Sequence, residues 1–316
     1  MRREWSVGIA ILLLALVLAF AAPSYFSGGN LRDLFLVNLP VVVAAVGTML
    51  VILTGEIDIS VGSAFAICSV VSGVVAKVGG PGWAAGAAAC GVGAALGALN
   101  GALVAYGRIP SIVVTLAAMV ALRDGLRWST QGAWVENLPP RFQYFGLTQS
   151  LFPIAAGAIV ATLVVVVAWT MRHLAAGRAV YATGSSGEAA RLAGIDTAAV
   201  KLAVFIIAGA LTGLAAVLNS VRFNQIPSNT GLGLEMKVIA AVVVGGTAIT
   251  GGRGTCAGTL LGVILLGAVG PALTFLGVSA QWERALQGAI ILAAVTIDAA
   301  RLPRGARLTR AGAAGV

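Results

Sequence analysis

Long apolar runs alternate with short polar segments along most of the chain, and ten of these runs approach the length of a membrane-spanning helix. A helix that crosses the hydrocarbon core of a bilayer needs about 20 predominantly apolar residues. The runs cover residues 5–23, 34–53, 62–79, 82–106, 110–122, 151–171, 200–219, 235–250, 257–276 and 281–299. The fifth and the eighth runs are short by this standard. The pattern therefore predicts an all-α membrane protein with about ten transmembrane helices, forming a single transmembrane domain over residues 1–316.

Two polar segments are long enough to lie outside the membrane. Residues 123–150 are rich in Trp, Tyr, Phe and Pro, and aromatic rings are favoured at the membrane–water interface. If the amino terminus is cytoplasmic, the number of spans places residues 123–150 in an extracytoplasmic interfacial loop and residues 172–199 in a cytoplasmic loop. The same count returns the carboxyl terminus to the cytoplasm.

Composition and charge agree with this picture. The chain is 59% hydrophobic and 10% charged, whereas soluble domains carry about 25% charged residues. The net charge of +9 could suggest nucleic-acid binding, but basic residues gather at the cytoplasmic ends of membrane spans without any nucleic acid. The basic segment RLPRGARLTRAG near the end of the chain indicates a cytoplasmic carboxyl terminus. The first run could be a cleaved signal peptide; because every later segment is apolar, we expect a retained first helix in the inner membrane.

Several kinds of chemistry are absent from the sequence. There is no GxxxxGK[ST] loop, so ATP hydrolysis by this chain alone is not expected. Cys68, Cys90 and Cys256 lie in apolar surroundings without a CxxC spacing, which favours a packing role over metal binding. The single histidine, His173, follows an apolar run and is typical of a helix end. We therefore expect no catalytic residue, no metal and no cofactor.

Polar residues in or near the spans are few. The segment LTGEIDISVGS at 53–63 contains Glu56, Asp58 and Ser60. One interpretation is a turn in which Gly55 ends a helix and Asp58 or Ser60 caps the next one. The other is a broken helix that lines a transport pathway.

Three further polar side chains, Asn100, Asn219 and Thr274, lie inside apolar runs. They could contact the hydroxyl groups of a transported molecule, or they could bond helix backbone within the bundle. Glycines spaced by four residues, at Gly93 with Gly97 and at Gly209 with Gly213 among others, indicate close helix packing.

The polar segment GSSGEAARLAG at 184–194 predicts a short helix between the sixth and seventh spans. Ser185 and Glu188 fit a capping box with Ser185 at the N-cap and Glu188 at the third helical position, and Gly194 is a typical helix stop. A helix of about two turns is marginally stable alone, so we expect it to need a partner surface. An ordinary structured loop is the alternative.

The motif EAARLAG resembles the E-A-A-x-x-x-G signature of permease subunits of bacterial ATP-binding-cassette importers. In that family this loop forms the coupling helix, which docks in a groove of a separate ATPase subunit. The resemblance implies a coupling role for Glu188, Ala189, Ala190, Arg191 and Gly194.

Three other stretches resemble the monosaccharide and autoinducer-2 branch of that family: GEIDISVGS at 55–63, the glycine-rich block at 233–262, and LRWSTQGAWVENLP at 126–139. Together they extend the resemblance over roughly residues 35–300. Glu56 departs from the pattern, since many members have glycine there. If the chain forms a transport pathway, the candidates for lining or gating it are the polar residues Glu56, Asp58, Ser60, Asn100, Asn219 and Thr274.

The resemblance also implies partners: two ATPase subunits, an extracytoplasmic sugar-binding protein, and a second permease subunit in a homodimer or heterodimer, all at a lipid membrane and without nucleic acid. The loop at 126–139 is most similar to rhamnose importers, with autoinducer-2 importers close behind and ribose and xylose importers further away. An ion-coupled secondary carrier and a structural membrane subunit are the alternative classes.

Overall fold

A computed structural model describes residues 3–279, 281–283, 285–286, 288–290 and 292. Every named secondary-structure element in this part of the chain is a helix, which confirms the predicted all-α class. The helices are α1 (Arg3–Ala21), α2 (Gly28–Leu53), α3 (Val61–Lys77), α4 (Gly82–Ala105), α5 (Ser111–Thr130), α6 (Leu151–His173), α7 (Ala175–Ser185), α8 (Gly187–Leu192), α9 (Thr197–Ser220), α10 (Leu234–Val244) and α11 (Cys256–Phe275). Two short 3₁₀ helices cover Pro23–Phe26 and Gln143–Gly146.

Six of the described helices, α1, α2, α4, α6, α9 and α11, are long and apolar enough to cross a membrane. They match six of the predicted runs. Helix α3 has 17 residues and is shorter. The tenth predicted span, 281–299, falls largely outside the described residues, and so does the basic segment that follows it. Six helices thus have the length and composition of a membrane span, while the predicted number of ten and the cytoplasmic position of both termini stay predictions.

Helix α5 is longer than the fifth run. It continues through Arg123, Asp124 and Arg127 to Thr130, where Gln131 ends it in a left-handed conformation (φ 52°). The connection to α6 therefore occupies residues 131–150, and residues 123–130, which were predicted to be loop, are helical. The reason is that charged residues end an apolar run without ending a helix.

The eighth predicted span, 235–250, is not a full span. Helix α10 has only 11 residues, about 16 Å at 1.5 Å per residue, or half the thickness of the hydrocarbon core. Gly231 and Gly233 before it have positive φ angles of 76° and 83°, and Gly246 after it has φ 99°. These conformations favour glycine and interrupt the helix at both sides.

Close glycine contacts hold the centre of the bundle together. A Cβ atom built on Gly93 would overlap the carbonyl oxygen of Gly209, and one on Gly97 would overlap the carbonyl oxygen of Phe205. The predicted small-residue faces of α4 and α9 therefore meet each other directly. Helix α2 passes through the middle of the bundle, and all its residues from Leu39 to Leu53 are buried.

The connecting segments gather at two opposite ends of the bundle. At the "α8 end" the end of α2 meets α7 and the loop after α10, since Gly184 lies against the Leu53 carbonyl and Gly252. At the "long-loop end" residues 131–150 meet the end of α9, where Val135 and Ile226 form an isolated β-bridge. The segments 131–150 and 174–196 correspond to the predicted polar segments 123–150 and 172–199, and they thus lie at opposite ends.

Candidate functional site: the α8 end and the interior cavity

Helix α8 begins one residue later than the capping-box pattern predicted. Ser186, with φ −161°, is the N-cap, and its Oγ accepts a hydrogen bond from Ala189 N at 3.3 Å. Ser185 is the last residue of α7, and its hydroxyl donates to the Tyr181 carbonyl at 2.8 Å. The predicted N-cap role of Ser185 is therefore wrong, and Glu188 is the second helical residue. The pattern failed because the chain before α8 is itself helical through Ser185.

The predicted helix stop is confirmed at Gly194, which has φ 83°. Its N–H donates to the Arg191 carbonyl at 2.9 Å, and Ile195 N donates to the Ala190 carbonyl at 3.0 Å. These two bonds form a Schellman motif. Two residues later, the Asp196 carboxylate accepts hydrogen bonds from Ala198 N and Ala199 N at 3.0 Å each and caps α9.

Helix α7 supports α8 and was not expected from the sequence as a separate element. It is fixed to the bundle by the Tyr181 hydroxyl, which donates to the Gly254 carbonyl at 2.8 Å, and by the buried side chains of Val180 and Thr183. Among the residues of the coupling motif, Ala190 is buried. The exposed residues of α8 and its C-terminal stop are Glu188, Ala189, Arg191, Leu192 and Gly194. The helix therefore has one buried attachment point and a broad accessible face.

The turn between α2 and α3, residues 54–60, is tied to the start of α9. Lys201 in α9 forms an ion pair with the Glu56 carboxylate. On the other side of the turn, Ile57 N donates to Ser111 Oγ at 3.1 Å, and the Thr115 hydroxyl donates to the Ile57 carbonyl at 3.2 Å. The turn is therefore held between α5 and the part of α9 that directly follows α8.

Three of the predicted pathway residues form one buried network in and beside this turn. The Asp58 carboxylate accepts hydrogen bonds from Ser60 N at 2.8 Å and Ser60 Oγ at 2.6 Å, and Asn100 Nδ2 donates to Ser60 Oγ at 2.9 Å. Burial raises the pKa of Asp58, while the hydrogen bonds from Ser60 oppose that rise. The network connects the turn to α4.

A partly open cavity of about 1130 Å³ lies further along the bundle, toward the long-loop end. It is bounded by α2, the end of α9, the non-helical residues before α10, and the first turn of α10. Of the six predicted pathway residues, Asn219 lines it; Glu56, Asp58, Ser60, Asn100 and Thr274 are not among its lining residues. The Thr274 hydroxyl instead donates to the Gly270 carbonyl within α11, at 3.3 Å.

Charged residues that the sequence analysis did not select lie in the cavity wall. Glu235 and Lys237, on the first turn of α10, both line the cavity. Their occurrence in an apolar run was the available signal, because ionisable residues inside membrane segments usually have a function.

Glu235 is paired with Arg123 of α5 inside the bundle. The distance from Arg123 Nη2 to Glu235 Oε2 is 3.9 Å, and the two side chains are 18% and 11% exposed, so water screens them little. Arg123 Nε donates to Ser63 Oγ at 3.2 Å, and Glu235 Oε1 accepts a hydrogen bond from Gly233 N at 3.2 Å. The Glu235 carboxylate lies against Gly62, where any Cβ would overlap it.

Replacing Glu235 by Gln should lower the free energy of unfolding by about 3 kcal/mol, because it leaves the Arg123 guanidinium buried without its counter-charge. Arg123→Met should have a similar cost. The double variant should lose less unfolding free energy than the two single variants together, because it leaves no unpaired charge buried. Apparent melting temperatures in detergent for the four proteins complete the cycle. Strictly additive losses would show that the two charges are not coupled.

The cysteines are free; Cys68 and Cys256 are buried and Cys90 is partly buried. Among the described residues, no group of three or more His, Cys, Asp or Glu side chains is placed to hold a metal ion. The chemistry that the site offers is hydrogen bonding and ion pairing.

Comparison with known proteins gives matches over nearly the whole chain. Residues 30–295 match the family described as branched-chain amino acid transport system / permease component. The chain is 35% identical over 296 residues to the ribose import permease protein of Escherichia coli (strain K12), covering 92% of each chain. It is 35% identical over 297 residues to the autoinducer 2 import system permease protein of Yersinia pseudotuberculosis (serotype O:3), covering 94% of this chain and 84% of that protein. No solved structure matches significantly.

Proposed function

This chain belongs to the family of branched-chain amino acid transport system permease components, and we propose that it forms the membrane pathway of an ATP-driven importer for a monosaccharide. It is a multi-pass protein of the inner membrane. The observation that carries the proposal is α8, a short helix with an accessible face in a chain that has no phosphate-binding loop of its own. Its ATP chemistry then belongs to a separate subunit.

Helix α8 is the proposed contact with that ATPase. Glu188, Ala189 and Arg191 are accessible to a partner, whereas Ala190 anchors the helix to the bundle. Gly194 ends the helix and directs the chain into α9. A partner surface would supply the stabilisation that so short a helix lacks in isolation.

Movement of α8 would reach the rest of the bundle through α9. The Lys201–Glu56 ion pair joins the start of α9 to the turn at 54–60, and the Asp58–Ser60–Asn100 network joins that turn to α4. ATP-driven displacement of α8 would therefore shift several packed helices together. Such rigid-body shifts between packed states are a common switching mechanism. In this proposal these five polar residues transmit the movement that opens and closes the pathway.

The transported molecule is proposed to be a monosaccharide delivered by an extracytoplasmic binding protein. Similarity of the segment at 126–139 to rhamnose importers suggests rhamnose, while the relatives quoted above are named for ribose and autoinducer 2. Uptake of rhamnose, ribose and autoinducer 2 is therefore measured side by side. A second permease subunit, identical or related, completes the proposed assembly.

Co-purification tests the proposal most directly. The tagged chain, expressed with the ATPase and binding protein of a monosaccharide importer, should retain the ATPase and accumulate sugar in vesicles only with ATP inside. Uptake that persists after ATP depletion would indicate an ion-coupled secondary carrier. Assembly without any flux of sugar would indicate a structural subunit.

A topology experiment checks the sidedness. In a background without the native cysteines, Trp134→Cys should react with an impermeant thiol reagent added to intact cells. Leu192→Cys, on the exposed face of α8, and Arg310→Cys near the end of the chain should react only after the membrane is opened. Labelling of either of these two positions in intact cells would contradict the proposed orientation.

A further inference from the structure

The cavity beside α10 combines polar side chains with an otherwise apolar wall. Asn219, Thr230, Lys237 and Gln281 line it together with the carboxylates of Glu235 and Glu283, and Lys237 interacts electrostatically with Glu283. Val41 and Phe65 are among the apolar residues of the same wall. Polar and ionisable side chains are rare inside membrane proteins and commonly mark a transport pathway, so their convergence on one cavity indicates a polar passenger.

The backbone beside the cavity gives a second, independent indication. Thr230, Gly231, Leu232 and Gly233 line the cavity and precede α10 without forming a helix. Their position inside the bundle is established by Gly231, where an added Cβ would meet the Gly62 carbonyl and the Phe65 ring. Irregular backbone at membrane depth is tolerated where it is buried in protein or lines a water-filled cavity. In transporters, interrupted helices of this kind commonly form the substrate site.

Two contacts to Glu235 hold this part of the cavity wall in place. Arg123 and the Gly233 N–H position the Glu235 carboxylate on the first turn of α10. Lys237 lies two residues further along the same turn and faces the same space. The cavity therefore has a fixed polar edge next to a largely apolar surface.

We propose that this cavity holds the sugar during its passage and that Lys237 and Asn219 donate hydrogen bonds to its hydroxyl groups. A monosaccharide has hydroxyl groups at its edge and C–H groups on its faces, which matches a wall with polar and apolar parts. Small-molecule sites commonly have volumes of about 300–1000 Å³, so a cavity of about 1130 Å³ accommodates a sugar together with water. The inference rests on the proposed importer function and adds its contact residues.

The absence of tight enclosure fits a transit site. A pathway has to bind its passenger strongly enough for entry and weakly enough for release. Two or three hydrogen bonds from flexible side chains satisfy that condition, and affinity then belongs to the separate binding protein.

The test uses the complete complex in proteoliposomes, with Asn219→Asp and Lys237→Met as nearly isosteric variants. Lys77→Met, at the exposed end of α3, is the matched control. Each protein is assayed with two sugar pairs that differ by one hydroxyl, D-ribose with 2-deoxy-D-ribose and L-mannose with L-rhamnose. Because the binding protein is the same throughout, a change in the uptake ratio within a pair reports on the permease.

Each cavity variant should lower uptake of the transported sugar at least tenfold. It should also change the uptake ratio between that sugar and the other member of its sugar pair at least threefold. Assembly of the complex and its melting temperature should be retained. Lys77→Met should leave both quantities unchanged. Uptake near the wild-type level in both cavity variants, or equal losses for both members of a pair, would overturn the proposed contacts. If the wild-type complex takes up no sugar of either pair under ATP, the importer function itself fails, which is a separate outcome.

Discussion

Gly194→Pro should lower ATP-driven uptake at least tenfold, while the protein still inserts into the membrane. Gly194 has φ 83° and donates its N–H to the Arg191 carbonyl. Proline has φ fixed near −65° and no N–H, so it removes the bond that ends α8. It also disfavours the helical conformation at the preceding residue. Since Gly194 is exposed, the damage should be confined to α8 and its connection to α9.

The matched control is Gly194→Asn, because asparagine tolerates the left-handed conformation better than other residues with a side chain. A Cβ at this position meets nothing within 4 Å. Gly194→Asn should therefore retain most of the uptake and still co-purify with the ATPase. Uptake by Gly194→Pro at the wild-type rate, in vesicles containing the ATPase, would rule out α8 as the coupling element.

Gly97→Ala should destabilise the protein by about 1–3 kcal/mol, the usual cost of forcing extra atoms into a packed interface. An added Cβ would overlap the Phe205 carbonyl and lie 3.3 Å from the Gly209 Cα. Helices α4 and α9 would have to move apart along their common glycine contacts. The expected observation is a clear fall in the apparent melting temperature in detergent.

Gly86→Ala is the control on the same helix, where the added Cβ meets nothing within 4 Å. Alanine has the higher helix propensity by about 1 kcal/mol, so this variant should be neutral or more stable. The two substitutions should therefore act in opposite directions although their chemistry is identical. Equal melting temperatures for both variants would show that the α4–α9 contact does not limit stability.

The lengths of several helices could be predicted from apolar runs. Helix bounds predicted from local sequence were wrong where contacts between distant residues determine where a helix begins or ends. The run at 235–250 looked like a span, but glycines with positive φ at both sides limit α10 to 11 residues. The charged residues after residue 122 looked like a loop, but Arg123 finds a partner in Glu235 and remains helical. The capping-box pattern at Ser185 failed because α7 extends to that residue.

Part of the candidate site could likewise be predicted from the sequence, and part of it depends on tertiary packing. The motif at 184–194 predicted a short helix that stops at Gly194, since glycine is the residue that adopts the left-handed cap easily. Asn219 was selected from the sequence and lines the cavity. Glu235 and Lys237 were not selected, because their surroundings depend on how α10, α5 and α2 pack and not on their neighbours in sequence.

The sequence alone was sufficient to predict an all-helical membrane protein with a polar motif between two of its spans, and six of its predicted apolar runs are long apolar helices in the described residues. Transfer of an apolar run into a bilayer depends on the sum over its own residues, so this information is local. The tertiary structure was needed to show that α10 is half a span, that Arg123 meets Glu235, and that the turn at 54–60 is tied to α9. These features arise from contacts between residues far apart in the chain, where burial and charge pairing outweigh local preference.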